Sequence, residues 1–204
     1  VRDVSFTLAR GELLGIVGES GCGKSTLARI LAGSLAATSG TVALDGTDYT
    51  RLTGREKRLH RRRIQMVFQD PLSSFSPRMK IGIYLCEPRR NYDHLGKQEA
   101  MAEAGALLER VGLSRDFLSR YPHQLSGGQL QRVAIARALA IGPELLICDE
   151  ATGALDVSIQ DQIARLLVEL VEEKGIGCVF IGHDLALVRS VTQRIAVMYL
   201  GRIV

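Results

Sequence analysis

Leu13-Leu14-Gly15-Ile16-Val17-Gly18-Glu19-Ser20-Gly21-Cys22-Gly23-Lys24-Ser25-Thr26 is the stretch from which the rest of the chain can be read. An apolar run of strand length, Leu13 to Val17, enters a glycine-rich loop, and a helical pattern follows from about Lys24 to Leu35. The order strand, G-x-x-x-x-G-K-[ST], helix is that of a phosphate-binding loop. Its glycines let backbone N–H groups turn inward and cradle phosphate oxygens. The N-terminus of the helix adds partial positive charge. On this reading Gly18, Glu19, Ser20, Gly21, Cys22 and Gly23 form the cradle and Lys24 reaches the β- and γ-phosphates. The Ser25 hydroxyl ligates Mg²⁺, and Thr26 beside it completes the binding set.

Two further stretches gain meaning from the first. In Leu145-Leu146-Ile147-Cys148-Asp149-Glu150 an apolar strand delivers two adjacent carboxylates to its C-terminal end, where ligands bind in open α/β sheets. Asp149 is placed to hold Mg²⁺ through water, which leaves Glu150 free to polarise an attacking water as general base. Strand-Asp-Glu alone is common; beside a phosphate loop it is informative. In Leu125-Ser126-Gly127-Gly128-Gln129, Ser126 is a good N-cap and two glycines allow close approach to an anion. One phosphate loop is already present, so a second such device on a separate helical block calls for another phosphate contact. Closing over a nucleotide held by a second copy of the domain is one solution.

Composition sets the bounds. The chain has 204 residues, 46% hydrophobic and 24% charged, the mix of one soluble globular domain. No apolar run approaches the roughly 20 residues of a membrane span, so work at a membrane needs a partner. No signal peptide is evident at the N-terminus. The chain opens and closes inside strand-like patterns, at Val1–Leu8 and at Gly201–Val204, and reads as a fragment of a longer protein. Cys22, Cys86, Cys148 and Cys178 lack C-x-x-C spacing, which argues against zinc; with Cys148 and Cys178 inside apolar strands, a reducing cytoplasm fits.

The net charge is +4, and Arg51, Arg55, Lys57, Arg58, Arg61, Arg62 and Arg63 contribute heavily to it. Such a cluster can bind nucleic acid or anionic lipid, or be the solvated face of a helix preceding a strand. No aromatic residues interleave with the arginines as stacking platforms would, so the solvated face is preferred and no nucleic acid is expected.

Outward from the loop, Val4–Leu8 reads as an amphipathic strand, Thr41–Leu44 as a strand closed by the Asp45-Gly46 turn, and Ile64–Phe68 as another strand. Residues from Pro71 to about Ile141 hold no convincing strand; Pro71, Pro77 and Pro88 break the first part into short pieces. Helical periodicity follows at Lys97–Val111 and again at about Gly127–Ala140. The core resumes with strand Leu145–Cys148, helix Val157–Glu173, strand Cys178–Ile181, helix Leu185–Val191 and strand Ile195–Leu200. Apolar strands alternating with helices predict a parallel sheet covered on both faces, interrupted by a helical insertion.

Gly18–Ser25, Leu125–Gln129 and Asp149–Glu150, in this order and spacing, resemble the Walker A, signature and Walker B motifs of ABC ATPases. Met66-Val67-Phe68-Gln69-Asp70-Pro71 is similar to the Q-loop, Ala154-Leu155-Asp156 to the D-loop, and Phe180-Ile181-Gly182-His183-Asp184 to the switch-histidine segment. The resemblance spans essentially the whole chain. It implies an α/β P-loop NTPase fold with a RecA-like, mostly parallel sheet, an antiparallel β portion and an inserted helical subdomain. Residues 1–70 and 142–204 would be the catalytic core and 71–141 the helical signature subdomain of one domain, 1–204. It implies ATP and Mg²⁺ as ligands, sandwiched in a head-to-tail dimer between the phosphate loop of one copy and Ser126, Gly127, Gly128 and Gln129 of the other. Gln69 would sense Mg²⁺ and the attacking water, His183 would contact the γ-phosphate, and Asp156 would contact the partner.

Phe68–Met79, Tyr121–Gln124, Leu155–Ser158 and Ala196–Gly201 are similar to the importers for oligopeptides, dipeptides and nickel. That resemblance implies integral membrane permeases as partners at the cytoplasmic face of the cell membrane, and an extracytoplasmic solute-binding protein indirectly. Gln69–Met79, with exposed-looking Phe75 and Met79, would dock a permease helix. The alternative is a non-transport ABC ATPase of translation-factor or DNA-repair type. The latter inserts long coiled coils or zinc modules, whereas Lys24 and Ser126 here are about 100 residues apart without a heptad run. The chain departs from the family pattern at Ala151-Thr152-Gly153, at Leu130 and at Gly182. The family's adenine-stacking aromatic residue would lie upstream of Val1, and the chain reads as lacking the branch's C-terminal extension.

Overall fold

The apolar runs become the centre of one sheet. The computed structural model describes residues 1–151 and 155–204. Its elements are β1 (Leu13–Val17), α1 (Lys24–Leu31), β2 (Ala43–Leu44), β3 (Thr47–Asp48), α2 (Gly54–Arg63) and β4 (Ile64–Val67). Next come α3 (Ile81–Asp93), α4 (Lys97–Arg110), α5 (Gly127–Leu139), β5 (Leu145–Asp149) and α6 (Val157–Lys174). The last are β6 (Gly177–Ile181), α7 (Leu185–Val191), β7 (Arg194–Tyr199) and β8 (Arg202–Ile203). Between β4 and β5 the chain forms only helices, 3-10 turns and loops.

The large sheet has the order β4-β5-β6-β1-β7-β8. All its pairings are parallel except β7–β8. Every residue of β1, β5 and β6 is buried. Their side chains alternate between two cores, as the strand period of two requires. Leu146, Cys148, Cys178 and Phe180 face the layer that holds α3 to α6. Ile147, Val179, Ile181 and Ile16 face the layer of α1 and the β2–β3 hairpin. Because β4, β5, β6 and β1 are parallel neighbours, the loops after them leave from one edge. That edge collects Gln69, Glu150, His183 and the glycine-rich loop, so the topology assembles what the sequence keeps far apart.

Several local expectations need correction. Val4–Leu8 is not a strand: it has no ladder partner among the described residues. Its inward alternation survives, since Val4, Phe6 and Leu8 are half-buried against the second core. Helix α1 stops at Leu31 rather than Leu35; Gly33 turns left-handed (φ 65°), and the N–H groups of Ser34 and Leu35 both bond the Arg29 carbonyl. The basic cluster from Arg55 to Arg63 lies on α2, with Arg51 before it, yet its face is not simply solvated. Arg58 donates to the Asn91 carbonyl (3.1 Å) and sits over Tyr92, Arg62 pairs with Asp93 (2.5 Å), and Arg63 pairs with Glu144 and Asp45 (2.6 Å each).

Pro88 does not break the chain; α3 runs through it. A proline in a helix interior leaves the carbonyl four residues earlier without its donor. That carbonyl is Tyr84's, and Arg137 Nη1 from α5 donates to it at 2.9 Å. Phe75 is buried, its ring stacked on Tyr84 at 4.1 Å, rather than exposed. All four cysteines are buried and free.

Candidate nucleotide-binding site

The glycine-rich loop follows β1, and its centre is filled by the side chain of the lysine that opens α1. Lys24 is buried, and its Nζ donates to the carbonyls of Gly18 (2.8 Å) and Glu19 (2.9 Å). The Cys22 N–H closes the turn onto the Glu19 carbonyl at 3.3 Å. A cation held by two loop carbonyls can exchange one of them for an anionic oxygen without moving far.

The first residue of the loop is glycine for a reason the motif does not disclose. A Cβ on Gly18 would stand 2.1 Å from the Met198 carbonyl oxygen, so β7 presses directly on the loop backbone. The sequence carried no signal for that contact. At the other sheet neighbour, a Cβ on Gly182 would meet Val188 Cγ2 at 2.7 Å. Val188 is fully buried, which gives this departure from the family pattern a packing reason.

Ser25 and Asp149 meet across the parallel edge: the Ser25 hydroxyl donates to Asp149 Oδ1 at 3.1 Å. Asp149 is 7% exposed. Burial pushes its carboxyl above the usual carboxylate range; the Ser25 hydrogen bond opposes this and the neighbouring Glu150 charge adds to it. A buried carboxylate beside a hydroxyl oxygen is a pair of hard oxygen donors, and that chemistry fits a divalent cation completed by phosphates and water.

Glu150 takes a left-handed backbone conformation (φ 48°) as its N–H bonds the Ile181 carbonyl at 3.0 Å. Positive φ in a non-glycine residue is uncommon and clusters at functional sites. Here it turns the chain off the line of β5 immediately after Asp149. Gln69 and His183 are both exposed, beyond the ends of β4 and β6. The next residue, Asp184, caps α7 by accepting from Ala186 (2.8 Å) and Leu187 (3.1 Å).

The edge therefore brings together residues 18–26, Asp149, Glu150, Gln69 and His183. It does not bring in the second glycine motif. Among the described residues no hydrogen bond or ion pair joins Ser126, Gly127, Gly128 or Gln129 to residues 18–26. Ser126 caps α5 reciprocally: its Oγ accepts from the Gln129 N–H (3.3 Å) and Gln129 Oε1 from the Ser126 N–H (3.0 Å). Leu130 is buried in the core, as an arginine there could not be without a partner. Asp156 is exposed immediately before α6. Thr152 and Gly153, where the chain departs from the family pattern, and Ala154 of the D-loop stretch lie outside the described residues.

A mostly parallel α/β sheet with a glycine loop and, at its carboxyl edge, a serine hydroxyl bonded to a buried aspartate defines a P-loop nucleotide-binding protein. The profile described as "ABC transporter" matches residues 1–153, and the chain belongs to that family. A probable peptide ABC transporter ATP-binding protein of Sinorhizobium fredii is 54% identical across the whole chain, which covers 58% of that protein. The oligopeptide transport ATP-binding protein OppF of Salmonella typhimurium is 50% identical over 205 aligned residues, covering 100% of this chain and 61% of OppF. The chain thus spans about three-fifths of the length of these relatives. Among solved structures, the ATP-binding cassette MJ0796 in a dimeric post-hydrolysis state with ADP and Pi superposes with a TM-score of 0.88. It is 33% identical, and the match covers 98% of this chain and 86% of that one.

Proposed function

We propose that this chain binds ATP with Mg²⁺ and hydrolyses it as one half of a head-to-tail pair, and so energises a membrane importer for peptides, nickel or a related small solute. The observation that carries the reading is the convergence of Lys24, Ser25, Asp149 and Glu150 on one sheet edge, with Ser126–Gln129 held away from it. Lys24 and the cradle from Gly18 to Thr26 hold the phosphates. Ser25 and Gln69 would hold Mg²⁺, with Asp149 reaching it through water; the ion would neutralise phosphate charge. Glu150 accepts the proton of the attacking water, and His183 orients the γ-phosphate. Ser126, Gly127, Gly128, Gln129 and Asp156 serve the partner copy. The dimeric cassette MJ0796 and the peptide-transport relatives support the pair and the permease partners.

The working division is a catalytic core of residues 1–70 and 142–204 and a helical signature subdomain of 71–141. No described helix is long and apolar enough to cross a membrane. The proposed place is the cytoplasmic face of the membrane, against integral permeases, with an extracytoplasmic binding protein delivering solute to them. The test is Glu150→Gln in the full-length protein. ATP binding is expected to persist while hydrolysis falls by about two orders of magnitude or more, the scale of a lost general base. Near-normal turnover would remove the assignment.

A further inference from the structure

We infer that Leu155 and Ile159 are positioning residues that seat the turn Ser126–Gln129. The inference deepens the head-to-tail reading above and rests on it. A Cβ on Gly128 would lie 2.8 Å from Ile159 Cγ2, and one on Gly127 would lie 3.3 Å from Leu155 Cδ2. Real Cβ atoms do not approach to 2.8 Å, and a γ-methyl on a β-branched residue has no room to swing aside.

Backbone conformation does not require glycine at either position. Both residues lie in the first turn of α5, and neither has positive φ. In a helix alanine is preferred to glycine by about 1 kcal/mol. What excludes a methyl group at Gly128 is therefore space, taken from within the chain by the first turn of α6; at Gly127 the Leu155 methyl would have to give by a few tenths of an ångström. A nucleotide on a partner need not be invoked for it.

The contact continues along both helices. Arg132 Nη2 donates to Gln162 Oε1 (3.3 Å), and Arg132 Nη1 holds the Val111 carbonyl (2.8 Å). Ile159 and Gln162 are three apart and share one face of α6. Leu155 is fixed from behind, since Gln160 Nε2 donates to its carbonyl at 2.9 Å. The Asp156 carbonyl accepts from the N–H groups of Ile159 and Gln160 (2.9 Å each). The turn that would meet the partner's nucleotide thus rests on the segment that follows this chain's own Asp149 and Glu150. A shift in that segment displaces Ser126–Gln129 with it, and a displacement of about 1 Å can change a rate by about 100-fold.

The test uses the full-length protein carrying Glu150→Gln. ATP-driven dimerisation is followed by light scattering, and ATP binding to the monomer by a fluorescent nucleotide at dilution. Gly128→Ala is expected to raise the ATP needed for half-dimerisation by about tenfold or more, an ångström-scale misplacement. Monomer affinity should stay unchanged, which a general folding defect would not allow. Adding Ile159→Ala removes Cγ2 and should recover most of the loss. Adding Ile159→Val, which retains Cγ2, should not. Double variants both as impaired as Gly128→Ala, or both equally recovered, would overturn the inference; so would a neutral Gly128→Ala. Should Ile159→Ala unfold the protein, Gly127→Ala with and without Leu155→Ala asks the same question, and absence of recovery there counts against the inference. No ATP-driven dimer in the Glu150→Gln parent would instead remove the head-to-tail reading itself.

Discussion

Arg137 donates a hydrogen bond from α5 to the Tyr84 carbonyl at 2.9 Å, the acceptor that Pro88 leaves without a helical donor. The same guanidinium lies 4.0 Å from the Tyr84 ring centroid and pairs with Glu87 at 2.8 Å. One side chain therefore repairs the proline defect and ties α3 to α5, the helix that Ser126 caps. The two residues are energetically linked, and the link can be measured.

Arg137→Ala should destabilise the protein by about 1–3 kcal/mol, the cost of leaving a buried acceptor unpaired. Pro88→Ala restores an N–H at the position that would serve Tyr84, and should reduce the penalty of Arg137→Ala. Chemical denaturation of the two single variants and the double variant closes the cycle. Strictly additive penalties would show that Arg137 acts only through Glu87 and the ring.

Gly18→Ala should act first on the fold and only then on the nucleotide. The added Cβ would press on the Met198 carbonyl, a backbone atom with no rotamer to change. Overpacking of this kind costs about 1–3 kcal/mol or more. The nucleotide-free protein should therefore melt earlier. Gly21→Ala, with open space around its Cβ but left-handed φ, should show only backbone strain. Equal melting of wild type and Gly18→Ala would contradict the contact.

The sheet edge was readable because the strands that build it are apolar runs, broken only by Gln65 in β4, that end in a polar or glycine motif. Parallel neighbours must put those endings side by side, so Asp149 and Ser25 were expected together without coordinates. What escaped depends on contacts between distant segments. Pro88 reads as a breaker because its rescuer, Arg137, lies on another helix. Phe75 reads as exposed because prolines flank it, and only the fold supplies Tyr84. Val4–Leu8 shows the converse: its alternation predicts which side chains turn inward but not whether a ladder forms. The glycines of the signature were read for anion approach, and local pattern could not reveal that Ile159 also needs the space.

Burial of Phe75 moves the expected membrane-partner contact. Phe68 (45% exposed), Leu72 (56%) and Ile83 (49%) are the large apolar side chains left open around this segment. Met79, Ile83 and Leu95 floor a groove of about 400 Å³ with Glu87 and Arg90 beside them. Cysteines for crosslinking at 72 and 83 should capture a permease in the membrane-assembled transporter, and one at 75 should not. Capture from 75 alone would reverse this assignment.

Asp149 offers a test of the metal reading that does not depend on turnover. Burial raises its pKa, so folding disfavours the ionised form relative to the unfolded chain. At neutral pH the ionised carboxylate is thus a burden on the nucleotide-free protein, relieved only in part by the Ser25 hydroxyl. Asp149→Asn removes the charge and keeps the shape and the Ser25 acceptor. The nucleotide-free variant should melt at or above the wild-type temperature. A cation that satisfies the carboxylate binds only the folded form, so Mg²⁺ with ATP should raise the wild-type melting temperature beyond the effect of ATP with a chelator. That increment should vanish in Asp149→Asn. An increment of unchanged size in the variant would mean that the cation does not depend on Asp149. A lower melting temperature without nucleotide would mean that the carboxylate stabilises the fold by contacts other than the one with Ser25.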